Sequence, residues 1–360
     1  MGISMHFSLK QFRSEGCTSY ALVDAATREV AFIDPHLDLL SQYRDYIREK
    51  QLLPRWALET HTHSDHPSAS HALREEFHLR VAGAAGLGER VDAVLSDRQV
   101  LRLGGLEIQV LATPGHTADS VCYAVHNLLF TGDTLLVGGS GKWDHPEGNP
   151  GQLWQSWNDS LAGLPGDTLV LPAHGCSGHL FSTLSTERKR NPEWLLGSGV
   201  SLREHKLHEL REPVPESVIR HMNFNRARNP LPEARERNLG GAWVCSAAAP
   251  ELDPVTVLGV DKFERAWRKR DSGARVLDVR EAAEFEKYRL LGSERISLSE
   301  LGLILPELRK ASKIFLVCQS GRRSLNAAQT LAYVGIGQCV QLQGGLQAWK
   351  QAGQEAEESQ

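Results

Sequence analysis

The sequence predicts an α/β protein of two domains, and three observations carry this. The chain has 360 residues, more than one compact domain usually holds. Short apolar strand patterns alternate with amphipathic helix patterns along most of it. The alternation breaks once, at a charged, proline-punctuated stretch and a small-residue linker, and then resumes in a more regular strand–helix form.

Taken in order, SYALVD and EVAFIDP read as a hairpin pair of strands, and LDLLSQYRDYIREKQ as an amphipathic helix. RWALET is a short apolar strand running into ETHTHSDH (Glu59–His66). ASHALREEFH reads as helix, RVAGA, EIQVLAT, VCYAVH and NLLFTGD as strands, WQSWNDSLAGL as helix, and TLVLPAH as a strand ending on His174. From about Ser182 to Arg237 the chain is helical and charged. Beyond the linker come RVLDVR (strand), EAAEFEKY and ELGLILPELRK (helices), KIFLVC (strand), RRSLNAAQTLAYVG (helix), CVQLQGG (strand) and LQAWKQAG (helix). That order predicts a small α/β domain with a mostly parallel sheet. The expected limits are 1–245 for the first domain with its helical extension and 246–254 for the linker SAAAPELDP. They continue with 255–354 for the second domain and 355–360 for a disordered tail, EAEESQ.

Composition narrows the class. A net charge of -4 gives no electrostatic footprint for nucleic acid. No run of about 18 apolar residues predicts a membrane span. MGISMHFSLKQF has no apolar signal core, and His6 stands at the Ser/Thr place of a myristoylation motif. The six cysteines, at 17, 122, 176, 245, 318 and 339, are sparse and unpatterned, which fits a reducing cytoplasm better than a disulfide framework. Cys122, Cys17 and Cys339 lie in or beside apolar strands and are expected to pack as core, as are Trp154 and Trp157 at helical spacing. Cys176 follows His174 closely and reads as a bystander, with substrate contact the alternative; Cys245, near the linker, has no evident role.

His61, His63, Asp65 and His66 form the pattern HxHxDH on a loop after a strand, where alternate side chains can converge on one point. Further ligand-type residues end strands downstream: His116 in TPGHT, Asp133 in FTGD and His174 in LPAH. Imidazole and carboxylate are the usual ligands of zinc and non-haem iron. The four motifs, in this order over about Met5 to His179, resemble the metallo-β-lactamase superfamily. The resemblance implies an αββα sandwich with a metal at one edge. The superfamily includes dizinc hydrolases such as glyoxalase II, and persulfide dioxygenases, which hold one iron. All seven ligand-type residues are kept, so ligand counting alone does not separate the two. The segments GCTSYALVD, FTGDTLLVGGSGKWD and LPAHGCSGHLFSTLSTERKRNP, with a short helical tail, resemble the dioxygenases.

By that resemblance, one Fe(II) per chain is held by His61, His116 and Asp133, a facial triad that leaves three positions open for substrate sulfur and O2. His63, Asp65, His66 and His174 then orient ligands or bound water; the alternative is that these four bind a second metal, zinc. Lys142 stands where the dioxygenases carry arginine, so the bidentate fork is missing there. Glutathione carries two carboxylates, and Lys142, Arg226 and Arg228 are the candidate cations for it; the two arginines also read as a solvated basic helix end.

The second candidate site is CQSGRRS, Cys318 to Ser324. Cys318 ends an apolar strand, Gly321 permits a tight loop, and a helix follows. Backbone N–H groups of Gln319, Ser320, Gly321 and Ser324, the helix N-terminus, and Arg322 and Arg323 are expected to favour a thiolate or persulfide. The pattern CxxGxRS resembles the active loop of rhodaneses. LDVREAAEFEKYRLLG and QGGLQAW resemble their opening and closing elements, with Arg289 where histidine is common. The resemblance implies a sulfurtransferase with Cys318 as sulfur carrier and Arg323 in a catalytic role.

Together the resemblances imply a bifunctional enzyme: a persulfide dioxygenase and a thiosulfate sulfurtransferase. Its small-molecule partners would be glutathione persulfide, glutathione, O2, sulfite and thiosulfate, and family habit adds a homodimer. The rivals are a dizinc, glyoxalase II-like thioester hydrolase fused to a rhodanese, and a non-enzymatic sulfur-binding protein.

Overall fold

The computed structural model describes residues 6–14, 16–142, 147–175, 178–206, 216–226 and 253–358. Two compact units divide it: Met1–Ser177 with Thr183–Ala249, and Pro250–Gln360 with Gly178–Ser182.

The first unit is built on two six-stranded sheets. One runs in sequence order: β1 (Phe7–Ser14), β2 (Cys17–Asp24), β3 (Glu29–Ile33), β4 (Leu53–Leu58), β5 (Arg80–Gly83) and β6 (Ala93–Val94). β2 and β3 form the antiparallel pair that the alternation predicts, with Tyr20 opposite Ile33. The other sheet holds β7 (Val100–Leu103), β8 (Leu106–Ala112), β9 (Val121–Val125), β10 (Leu128–Gly132), β11 (Leu169–Pro172) and β12 (Ser182–Thr183), in the order β12-β11-β10-β9-β8-β7.

Every residue of β2 is buried, so both its faces are covered. Ala21 and Val23 join a core under helices α1 (Leu40–Lys50) and α2 (Ser70–Phe77). α1 buries Leu40, Tyr43 and Ile47, the stripe its period requires. Tyr20 points the other way, onto Phe130 of the second sheet, with ring centroids 5.2 Å apart. The second sheet's outer face packs Leu111, Cys122, Leu129 and Val170 against α3 (Pro150–Ser156), α4 (Leu184–Arg190) and α5 (Gly199–Lys206). Asn149 caps α3 and Pro150 opens it; Thr183 caps α4. The layers are therefore helix, sheet, sheet, helix. Trp157 is fully buried in this outer core, as the spacing predicts. A further helix, α6 (Glu216–Arg226), follows.

The second unit has a parallel sheet ordered β13 (Thr256–Leu258), β18 (Cys339–Leu342), β17 (Ile314–Val317), β14 (Arg275–Asp278) and β16 (Glu294–Arg295). Phe263 and Trp267 of α7 (Val260–Arg268), Phe315, and Leu346 and Trp349 of α11 (Gly345–Gln351) fill its core. The other helices are α8 (Ala282–Lys287), α9 (Leu305–Leu308) and α10 (Arg322–Tyr333). One expectation is corrected. The charged tail does not stay free through residue 358: β19 (Glu357–Glu358) pairs with β15 (Tyr288–Arg289). Glu357 meets Arg289 at 2.5 Å, and the Glu355 carbonyl accepts from the Trp349 indole at 3.0 Å. Among the described residues no helix is long and apolar enough to cross a membrane.

Candidate metal centre and cysteine loop

The ends of β4, β8, β10 and β11 converge on one edge of the sandwich. β4 leads into His61 and His63, β8 into the loop of His116, β10 into Asp133 and β11 into His174. Ligand atoms of His61, His116 and Asp133 lie within 4.8 Å of one another, and all three residues are buried.

The hydrogen bonds around them set which atoms are bare. Thr60 Oγ1 donates to Asp34 Oδ2 at 2.8 Å, which uses its one proton. It therefore accepts from His61 Nδ1 at 2.9 Å, leaving the other ring nitrogen with its lone pair. His116 Nδ1 donates to the Lys142 carbonyl, so Nε2 is the ring nitrogen turned toward Asp133. That Nε2 stands 3.6 Å from Asp133 Oδ2. Two imidazole nitrogens and one carboxylate oxygen, each oriented from behind, suit a cation in a site with open positions.

Asp133 Oδ1 is occupied differently. His174 Nδ1 donates to it at 2.5 Å, and His174 Nε2 donates to Asp65 Oδ2 at 3.0 Å. Burial opposes charge on this imidazole, but the two carboxylates outweigh it and hold His174 well above its ordinary range. His174 is thus a bridge between two acids, with both nitrogens engaged. His66 Nδ1 donates to the same Asp65 oxygen at 2.9 Å. His63 Nε2 faces Asp34 Oδ1 at 3.2 Å and Glu59 Oε2 at 3.4 Å. His63 Nδ1 and His66 Nε2 are buried without a hydrogen-bond partner. With Asp65, these two histidines form a second potential cation cluster.

Several supporting residues escape a reading of the motifs. Asn225 of α6 donates to the carbonyls of His63 (2.9 Å) and His66 (2.7 Å). Arg90, only 1% exposed, holds Asn225 Oδ1 at 3.2 Å. Ser68 and Ser70 hydroxyls donate to Glu59 Oε1. Cys17, expected as plain core, is buried beside this cluster, with Sγ 3.3 Å from Asp65 Oδ2. Gly132 is also structural: its φ is +52°, and a Cβ there would stand 2.3 Å from Thr60 Oγ1, the group that orients His61. Gly132→Ala is expected to destabilise the first unit by about 1–2 kcal/mol through its left-handed backbone alone, and further through the clash. A melting temperature equal to that of the unmodified protein would refute this.

The candidate substrate cations fare unequally. Lys142 is partly buried, and its carbonyl accepts from His116 Nδ1. Arg226 is not a merely solvated helix end: its Nη2 donates to both Glu147 oxygens at 2.9 Å. Arg228, Cys176 and Cys245 lie outside the described residues.

In the second unit Cys318 follows β17 directly and is fully buried. The Ser324 N–H donates to its sulfur at 3.3 Å, and the thiol donates to Ser324 Oγ at 3.4 Å. Gly321 takes φ +87°, which turns the loop into α10. Gln341 Nε2 donates to the Gly321 carbonyl and to Ser324 Oγ, both at 3.1 Å. Gln319, Ser320 and Arg322 form the exposed rim. Arg323 grips Glu284 through two bonds of 2.6 and 2.7 Å, so its charge is already balanced by a carboxylate.

Comparison with known proteins gives two family matches: the metallo-beta-lactamase superfamily over residues 83–174 and the rhodanese-like domain over 263–352. The human mitochondrial persulfide dioxygenase ETHE1 is 34% identical over 196 residues, covering 52% of this chain and 75% of that protein. The crystal structure of ETHE1 from Myxococcus xanthus aligns with TM-score 0.58 and 33% identity, over 61% of this chain and 98% of that one. A hydroxyacylglutathione hydrolase of Cereibacter sphaeroides is 35% identical over 169 residues, 46% of this chain and 62% of that protein.

Proposed function

Because the chain belongs to the persulfide dioxygenase family of the metallo-β-lactamase superfamily and carries a rhodanese-like domain, we propose that it is a bifunctional enzyme of sulfane-sulfur metabolism. The first unit converts glutathione persulfide, O2 and water to glutathione and sulfite. The second moves a sulfur atom between thiosulfate, glutathione and persulfides through a Cys318 persulfide.

The observation that carries the first assignment is the division of labour at the metal edge. His61, His116 and Asp133 bring one ligand atom each to a common point. His174, which a second metal would need, has both nitrogens committed to carboxylates. Bound to the triad, Fe(II) supplies open coordination positions and the redox chemistry by which O2 oxidises a sulfur atom. The chain's own contribution is orientation and exclusion of water. Thr60 and the Lys142 carbonyl fix the two imidazole rings, and His174 steadies Asp133 from behind. Lys142, whose carbonyl holds His116, is the cation we assign to one glutathione carboxylate; Arg226 is bound to Glu147.

In the second unit, Ser324 N–H and the N-terminus of α10 point at the Cys318 sulfur and stabilise anionic sulfur there. Arg323 acts through Glu284 as a brace of the loop.

One observation supports a second reading, a dizinc thioester hydrolase: the bare His63 Nδ1 and His66 Nε2 beside Asp65. Metal analysis of anaerobically handled protein, with O2 uptake on glutathione persulfide, separates the two. The expected result is about one iron per chain and persulfide-dependent O2 consumption. Two zincs with turnover of glutathione thioesters and no O2 uptake would overturn the dioxygenase assignment.

A further inference from the structure

The structure assigns Asp119 a positioning role at the metal edge: one buried carboxylate ties the loop that carries His61 to the loop that carries His116. Thr62 lies between His61 and His63, and Thr117 follows His116. Thr62 Oγ1 donates a short hydrogen bond to Asp119 Oδ2, and the Thr62 N–H donates to Oδ1 at 3.3 Å. Thr117 Oγ1 donates to Oδ1 at 2.5 Å. Both threonines are fully buried and Asp119 is 5% exposed.

The bond to Thr117 spans two residues and by itself would mark an ordinary turn. The bonds to Thr62 span 57 residues and join the end of β4, in the first sheet, to the β8–β9 loop of the second. His61 and His116 therefore come from different sheets, and their rings stand edge to face with centroids 4.8 Å apart. Space is kept for the clamp: a Cβ on Gly86 would stand 2.5 Å from the Asp119 Cβ. Hydrogen bonds to an ionised acceptor are stronger than neutral ones, so a carboxylate suits this place better than an amide. A clamp between two ligand loops assembles the pair before the metal arrives, and the protein then loses less freedom on binding it.

The inference rests on the metal-site reading but not on which metal works there. Its test uses the full chain with Asp119→Ala, Asp119→Asn and the double variant Thr62→Val/Thr117→Val. Chelator competition measures affinity for Fe(II) and, separately, Zn(II). The EPR spectrum of the nitric oxide adduct of the Fe(II) protein reports ligand arrangement. Asp119→Ala is expected to weaken both metals by about 10- to 100-fold, the range for loss of a partner behind the ligands, and to alter the EPR line shape. Asp119→Asn should fall between it and the unmodified protein, and the double variant should reproduce the loss. Folded Asp119→Ala with unchanged affinities and spectrum overturns the assignment; if that variant does not fold, the double variant decides in the same way. A wrong dioxygenase assignment shows instead as unmodified protein that binds metal yet consumes no O2, and leaves this comparison intact.

Discussion

His116→Ala is expected to lose its iron and, with it, persulfide-dependent O2 uptake. The substitution deletes one of three ligand atoms and also the bond to the Lys142 carbonyl that holds the loop after Asp133. Two protein ligands hold a first-row metal much more weakly than three. The loss should exceed about 100-fold, beyond the 10- to 100-fold that removal of a partner behind a ligand costs. Asp133 would keep its bond from His174, and the buried outer core around Trp157 is untouched, so the protein should stay folded. Sulfur transfer through Cys318, measured on the same preparation, should continue. Iron content and O2 uptake at the level of the unmodified protein would remove His116 from the ligand set.

The reciprocal variant, Cys318→Ser, should abolish sulfur transfer and leave O2 uptake in place. A hydroxyl keeps the volume and a bond to Ser324, but it cannot carry sulfane sulfur. The loss of a covalent nucleophile should exceed about 1,000-fold. Mass spectrometry after exposure to thiosulfate should show one added sulfur atom on the unmodified protein and none on the variant. Persistent transfer in Cys318→Ser would move the sulfur carrier to another thiol.

Much of both sites was legible because the evidence is local. HxHxDH, TPGHT, FTGD and LPAH each put a ligand-type side chain just after a strand, and strand ends at one edge of a sandwich are where such residues meet. The Cys318 loop reads the same way, as strand, turn and helix within a few residues. What stayed hidden lies far off in sequence. Asn225 holds carbonyls about 160 residues earlier, Asp34 orients Thr60, and Glu284 takes the charge of Arg323. None of these has a signature, since an asparagine or a glutamate on a helix is usually a solvated residue. The tail misled for a related reason. EAEESQ has the composition of a free end, yet Arg289 offers Glu357 an ion pair, and two backbones complete a ladder.

By itself, the sequence determined the α/β class, the two-part organisation, the seven residues that meet at one edge of the sandwich and the cysteine that follows β17. Periodicity, turn residues and ligand chemistry are all carried by neighbours in the chain. The tertiary structure alone decided what each of the seven does. His174 differs from His116 only in what surrounds it: one meets two carboxylates and becomes a charged bridge, the other gives its Nδ1 to a backbone carbonyl and turns Nε2 toward Asp133. An imidazole has two nitrogens of nearly equal chemistry, and which one is left to bind a metal is set by the partner that folding brings to the other.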